Sequence, residues 1–501
     1  MKKWLIFAFV AIARLFREVL SRSDGSYKLL FLPGFEGARW QMGRWKAWYV
    51  FDRAKRGTPA YRQFMADRVQ DLPVKGWDPD LAAITITDKE SYVKKYSIEE
   101  RCHGGRLPMR GAVIDESSGT SGTPNNWVRG QVERGAIRRI VQLSLHSLIG
   151  RKPVFVINAF ALGPWATGMN VSMALVDVSV LKSTGPDAEK VVNTLNLFGP
   201  GYRYLLCGYP PFLKSLVDDE RVDWKKFEIV AVYGGEGMSE AVRSYLGQYF
   251  TRIIGSYGAS DLEINMATEN DFTVALRQEI ARNPALAARL TVNHGVLPMI
   301  FQYNPLDYVI ETNDDGELII TLCRAANAAP KVRYNIHDLG HVVRMPEYQR
   351  IARECGIRDP ALLRPLTDLP LLFHYGRSDA AVGFYGCKIT PNDVQEVLYT
   401  LPETKDAVAT FSLVTYEDEQ HNKRLTLAVE MLAGREAPTG ETLRVWETAV
   451  FERLRAVNQD FRESARMVPE GCHPTLEAYA HLTGPFADQD IRVKRKYVIA
   501  R

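Results

Sequence analysis

The sequence predicts an α/β protein: a large unit built on a mainly parallel sheet, then a small α+β unit near the C-terminus. Three observations carry that expectation. Between residues 154 and 261, apolar strand-like runs alternate with helical patterns, as in successive β–α–β units. Glycine turns follow the strand ends at Gly163, Gly234, Gly235 and Gly258. After Gly376 the character changes to two strands around a polar turn and one long amphipathic helix.

Taken in order, Lys2 and Lys3 precede an apolar run over residues 4–13, and Leu15, Phe16, Val19 and Leu20 continue a helical period past Arg14 and Arg17. The run is too short to cross a bilayer, which takes about 20 apolar residues. It predicts an amphipathic helix within residues 1–24 that packs on the body or touches a membrane surface. The competing reading, a cleaved secretory signal, rests on the Ala11-Ile12-Ala13 spacing. Residues 25–77 are rich in aromatics and Arg, and ITITDKESYVKKYSIEE (residues 84–100) reads as a strand leading into a helix. Strands follow at 154–158, 171–181, 202–207, 227–234 and 252–257, with helices between most of them. Residues 308–322 form a hairpin around Asp315-Gly316, residues 334–340 end another strand, and residues 347–363 look helical. In the last quarter, residues 408–432 hold two strands, and Leu443, Trp446, Val450, Leu454, Val457 and Phe461 step by three or four along a helix.

Composition narrows the function. A chain of 501 residues with 46% apolar and 24% charged residues is an ordinary globular protein of two or more domains. A net charge of +4 without a long basic run argues against a nucleic-acid partner. Six scattered cysteines without a CxxC pair fit reduced thiols better than a disulfide frame or a zinc site.

The chemistry concentrates in DESSGTSGTPNNWVRG, residues 115–130. Gly119 and Gly122 let the backbone approach a ligand, and Ser117, Ser118, Thr120, Ser121 and Thr123 place five hydroxyls within seven positions. Backbone N–H groups and hydroxyls of such a loop can converge on phosphate oxygens; in isolation the same composition also serves plain surface turns. No Lys closes it in the manner of a P-loop.

The motifs also form an ordered series. SSGTSGTPN, GGEGMS, YGASD, YNIHDLG, GRSDAAVGFYGCKITPNDVQEVL and the terminal VKRKYVIAR resemble, in order and approximate spacing, those of adenylate-forming enzymes. The phenylacetate–CoA ligase-like branch is the most similar, through the GGE turn, the TDKE-type segment and the C-terminal lysine. The resemblance runs from about Tyr61 to the end of the chain.

That resemblance implies a large adenylate-forming domain with β-sheets flanked by helices over residues 25–378, and a small mobile α+β domain over residues 379–501. It implies ATP and Mg²⁺, a small carboxylic acid as substrate, and coenzyme A as acceptor, with a carrier-protein thiol or an amine as alternatives. It also implies a cytoplasmic setting. By similarity Ser117, Ser118, Gly119, Thr120, Ser121, Gly122 and Thr123 hold the ATP phosphates, with Thr120 acting in catalysis. Gly234, Gly235 and Glu236 lie along the adenine, and Tyr257, Gly258, Ala259, Ser260 and Asp261 line the adenylate site, Asp261 supporting the metal in place of the usual Glu. Asp338 matches the ribose-binding acid, Arg377 faces the nucleotide, Lys388 lies near the phosphate, and Asp379 is the hinge. Lys494 matches the lysine that meets carboxylate and α-phosphate, with Lys496 as its rival; Glu263 is the rival of Asp261.

The chain departs from the pattern in lacking a loop Lys at Thr123 or Asn125, where Arg129 could substitute. It also carries Val493 where a Gly often precedes the lysine, and extra length over residues 345–372. Phe160, Trp165 and Met169 are expected to wall the acyl pocket, suiting an aromatic or mid-sized apolar acid. A degenerate fold that binds nucleotide without turnover, and a membrane-associated scaffold, are the readings from other classes.

Overall fold

The computed structural model describes residues 2–21, 23–66, 72–116, 125–150, 152–163, 166–235, 237–292, 297–378, 382–384, 387–418, 423–458, 461–462, 468, 471, 473–487 and 497–500. An eleven-stranded sheet dominates. Its spatial order is Tyr308–Thr312, Glu317–Leu322, Tyr334–Val343, Leu371–Arg377, Met299–Tyr303, Ala267–Thr268, Arg252–Tyr257, Glu228–Gly234, Arg203–Gly208, Phe155–Asn158 and Val180–Ser183. The last five of these run parallel to one another. The other six join antiparallel.

The expectation of a mainly parallel sheet therefore holds for one half only. Parallel pairing needs a crossover, which the chain supplies with helices Ala188–Phe198, Pro210–Val217 and Glu240–Leu246. Past Tyr257 several connections shorten, as in the turn through Asn313 and Gly316, and hairpin geometry takes over. The four inner parallel strands are buried along nearly their whole length, as EIVAVYG at Glu228–Gly234 shows, which is why they read as unbroken apolar runs, whereas the edge strand Val180–Ser183 is not.

Three further expectations are corrected. Val171 to Leu175 belong to helix Ala166–Leu175, and the strand starts only at Val180; a short apolar run does not by itself separate a buried helix from a strand. The TDKE segment contributes a bridge at Thr87 and a single π-helical turn, Lys89–Val93, capped by Asp88, whose carboxylate accepts from Ser91 N at 2.6 Å. Residues 347–363 form two helices, Met345–Glu354 and Pro360–Leu363, because Gly356 (φ +78°) ends the first and Pro360 starts the second. They pack Tyr348, Ile351 and Leu362 with Phe272 and Leu276 in a separate apolar cluster.

A second sheet lies toward the C-terminus, ordered Thr475–Tyr479, Lys423–Met431, Val408–Glu417 and Val498–Ala500. Helices Pro391–Leu398 and Gly440–Val457 bury Val394, Val397, Trp446, Val450 and Leu454 in a cluster with its strands. The N-terminal helix Lys2–Leu20 docks on helix Glu36–Gly57 through Ile6, Phe7 and Val10, with the Phe7 ring edge-on to Trp48 at 5.3 Å. Each such buried side chain contributes about 1.5–3 kcal/mol.

Candidate active site

Ligands in open α/β sheets bind beyond the carboxyl ends of the strands, and here those ends open into a cavity of about 1840 Å³. Gly234 and Gly235, at the end of one parallel strand, line it. Gly235 takes φ +80°, and a Cβ there would stand 3.0 Å from the Tyr209 ring, so only glycine gives this turn its shape. Tyr257, Gly258, Ala259, Ser260 and Asp261 line the cavity beside it. Gly258 is just as constrained, since a Cβ would meet Glu263 O at 2.6 Å.

Asp338 is buried in strand Tyr334–Val343, opposite Arg377 in the register. The preceding His337 takes φ +62° and its N–H donates to Asn335 Oδ1 at 2.8 Å. A left-handed residue inside a strand costs conformational energy and breaks the ladder locally, and the register slips at Leu339/Gly340. The Tyr257 hydroxyl donates to Asp338 Oδ2 at 2.8 Å, and His374 Nε2 lies 3.3 Å from the same oxygen. Burial pushes the Asp338 carboxyl up, but the His374 imidazole, the Arg377 guanidinium and the Tyr257 hydroxyl outweigh it and hold it below its ordinary value. Burial and the Asp338 charge push Tyr257 well above its own, so the phenol stays a donor. His374 is a residue that sequence reasoning missed; its place three residues before Arg377 on the same strand is the only signal of it.

The rival carboxylates separate cleanly. Asp261 lines the cavity, accepts from the Tyr334 hydroxyl at 2.8 Å, and lies 3.4 Å from Lys89 Nζ. Glu263 accepts from the Tyr308 hydroxyl at 2.9 Å and pairs with Arg324, which also meets Asp307 at 3.2 Å. Arg17 closes that internal cluster on Asp307 at 2.6 Å. Glu263 is thus spent on the fold. Lys89 is the second residue that sequence reasoning missed; the TDKE segment holds it, and only the fold brings it to Asp261. Among the described residues no three His, Cys, Asp or Glu side chains gather as a metal cage. Magnesium carried on nucleotide phosphates needs only one or two carboxylates, which Asp261 fits.

Arg129 does not stand free for phosphate. Its Nε donates to Asp115 Oδ2 at 3.1 Å, and its other nitrogens donate to the carbonyls of Leu262 and Ser260. It clamps hairpin Val113–Glu116/Asn126–Arg129, which flanks the Ser/Thr/Gly loop, to the 260–262 turn. Ser117, Ser118, Gly119, Thr120, Ser121, Gly122 and Thr123 lie outside the described residues, as do Trp165, Glu236, Asp379 and Lys494. Lys388 pairs with Gly383 in hairpin Val382–Phe384/Cys387–Ile389, its side chain being outside the description.

Of the expected acyl-pocket walls, Phe160 is buried and lines the cavity, its ring edge-on to Tyr209 at 5.2 Å. Met169 does not line it. Helix Ala166–Leu175 presents Ala166, Thr167 and Val171 instead, a face that Met169 misses at 100° per residue. From the C-terminal sheet and its helix, Asn392, Gln395 and Tyr497 also reach the cavity. Ser378, just before the expected hinge, is tied down: its N–H donates to His337 O at 2.7 Å and its hydroxyl to Glu317 Oε1 at 2.8 Å.

No family model matches the chain, and no curated protein does. Solved structures do. A 2-hydroxyisobutyryl-CoA ligase in the postadenylation state with 2-HIB-AMP superposes with a TM-score of 0.68 at 13% identity, covering 96% of this chain and 93% of that one. The same ligase with R3-HIB-AMP gives 0.65 at 14%, covering 93% and 90%. Its open conformation with 2-HIB-AMP and CoA gives 0.54 at 14%, covering 95% of each chain. From the eleven-stranded sheet to the C-terminal strand, this chain has the fold of the adenylate-forming ligases.

Proposed function

We propose that this protein activates an apolar carboxylic acid with ATP, releasing pyrophosphate, and passes the acyl group from the resulting acyl-adenylate to the thiol of coenzyme A. The observation that carries the reading is one cavity, at the carboxyl ends of the parallel strands, lined by Gly234, Gly235, the residues from Tyr257 to Asp261, Asp338 and Arg377.

The residues supply what the chemistry needs. A carboxylate meeting an α-phosphate joins two anions, so the barrier is largely repulsion. Asp338, kept ionised, accepts from the ribose hydroxyls and fixes the nucleotide, while Arg377 across the register offsets phosphate charge. Magnesium, held on Asp261, would supply further charge neutralisation. Lys89 balances the Asp261 charge beside it. Lys494 lies three residues before the cavity-lining Tyr497, within about 10 Å of extended chain, and we assign it the approach to carboxylate and α-phosphate. The Ser/Thr/Gly loop at 117–123 is assigned to the β- and γ-phosphates.

We place the domain boundary at Asp379, so that the C-terminal unit rotates between adenylation and thiol transfer. The higher TM-score with the postadenylation form than with the open form of the same ligase supports an adenylating arrangement here. With ATP and coenzyme A as proposed substrates we assign the reaction to the cytoplasm, and peripheral membrane contact to helix Lys2–Leu20; among the described residues no helix is long and apolar enough to cross a membrane.

The test is pyrophosphate release from ATP across a panel of carboxylic acids, with coenzyme A, a carrier-protein thiol and an amine offered as acceptors. Acid-dependent release with thioester formation is expected. ATP binding without release for any acid would reduce the protein to a nucleotide-binding fold.

A further inference from the structure

Two features that adenylation does not use adjoin each other. The first is the outer face of helix Lys2–Leu20. Leu5, Phe9, Ile12, Phe16 and Val19 step by three or four along it, and Trp4 and Leu15 widen the stripe. All seven are more than half exposed. At 100° per residue they fall within an arc of about 140° that contains no charged residue. The helix cannot roll to hide them: Lys3 pairs with Asp52 at 2.8 Å, and the opposite face carries the Arg17–Asp307 pair and the buried Ile6, Phe7 and Val10. Further along the chain Leu29, Leu32 and Phe35 are also exposed, and Trp77 sits near the start of the helix under the Lys2 ammonium, 5.8 Å from the ring centroid.

The second feature is the far part of the cavity. Besides the adenylate motifs, the cavity is lined by Leu145 and Leu148 of helix Gln131–Ile149, by Phe272, and by Phe31, Leu32 and Pro33. The whole cavity, adenylate motifs included, has a volume of about 1840 Å³, roughly twice the upper end of ordinary ligand pockets, about 1,000 Å³. Leu32 is both an exposed member of the apolar surface and a cavity wall.

We infer that the chain lies on an anionic bilayer through this helix face, and that its acid is a long-chain carboxylic acid taken from that bilayer, with its tail in the apolar stretch of the cavity. The substrate class rests on the ligase reading above; the docking does not. Trp4 and Trp77 suit the interfacial zone, and the exposed Lys2 at the start of the helix, with the exposed Lys75 next to its Gly76 partner, suits anionic headgroups. A second copy of the chain fits less well, because a two-fold contact would turn this basic rim on itself.

The test uses the full-length protein with vesicles of phosphatidylcholine, alone or with phosphatidylglycerol, and the variant Ile12→Asp/Phe16→Asp, whose two positions are exposed. Sedimentation with the anionic vesicles is expected, weakened roughly tenfold or more in the variant at an unchanged melting temperature. Failure of the wild type to sediment, equal binding by the variant, or a dimer in light scattering that the variant dissolves would overturn the docking. Pyrophosphate release is then compared for acetate, phenylacetate, octanoate and hexadecanoate, with hexadecanoate binding measured by titration calorimetry. Preference for hexadecanoate is expected. Turnover of the short or aromatic acids alone overturns the inference and leaves the ligase reading standing. Hexadecanoate binding without turnover of any acid overturns the ligase reading and keeps the lipid site.

Discussion

Replacing Asp338 separates a ribose contact from a merely structural carboxylate. Its Oδ2 accepts the Tyr257 hydroxyl at 2.8 Å with His374 Nε2 at 3.3 Å, in a buried setting. Asp338→Ala strips the acceptor from the buried phenol, costing about 1–3 kcal/mol of folding stability. Asp338→Asn keeps an oxygen for Tyr257 but loses the charge. A hydrogen bond to a charged group is worth about 1.5–3 kcal/mol, so both variants should raise the KM for ATP roughly ten- to hundredfold, and only the alanine variant should melt much earlier. The assay is ATP–pyrophosphate exchange with ATP and with 2′-deoxy-ATP. The wild type should discriminate against the deoxy nucleotide and Asp338→Asn should not. A folded Asp338→Asn protein with unchanged ATP dependence, or with wild-type discrimination, refutes the assignment. The pH arm has a fixed sign. The folded carboxyl is held below its ordinary value, so its stabilisation is full above the unfolded pKa of about 3.9 and disappears as pH falls through the lower folded value. Asp338→Asn should lack that component of acid destabilisation.

Asp261→Asn should raise the magnesium needed for half-maximal activity at least roughly tenfold, while Tyr334 keeps its acceptor; an unchanged magnesium titration removes Asp261 from the metal. Glu317, bonded by Asn335, His337, Ser378 and Asn313 despite its desolvation, is pushed down to about 2. Its stabilisation should be full above about pH 4.3 and lost toward that lower value, so thermal melts of Glu317→Gln should flatten across this window relative to the wild type. Lys494→Ala should lose adenylation roughly a hundred- to thousandfold yet transfer premade acyl-adenylate to coenzyme A, and Asp379→Pro should do the reverse; the same pattern in Lys496→Ala would move the lysine by two residues.

Much of the fold was legible because buried parallel strands and amphipathic helices leave opposite periodicities, as at residues 227–250. What was not legible depended on partners distant in sequence. Asp261 and Glu263 are two residues apart and chemically alike, yet one faces the cavity and the other meets Arg324, a choice made by the segment that follows strand Glu317–Leu322 rather than by the motif. Arg129 looked available for phosphate because its carbonyl partners at Ser260 and Leu262 lie over 130 residues on. Met169 falls in the sequence stretch expected to wall the pocket, but where helix Ala166–Leu175 begins decides which of its faces lines the cavity. His374 and Lys89 became visible only when the fold set them beside Asp338 and Asp261.

The central claim is that the carboxylate attacks the α-phosphate and that the thiol then breaks the acyl C–O bond. An acid labelled with ¹⁸O in both carboxylate oxygens tests it most directly. One labelled oxygen bridges carbon and phosphorus in the adenylate and stays on phosphorus when the sulfur attacks carbon, so AMP should carry one ¹⁸O and the thioester carbonyl the other. Unlabelled AMP, or label appearing in inorganic phosphate with ADP as co-product, would contradict the account.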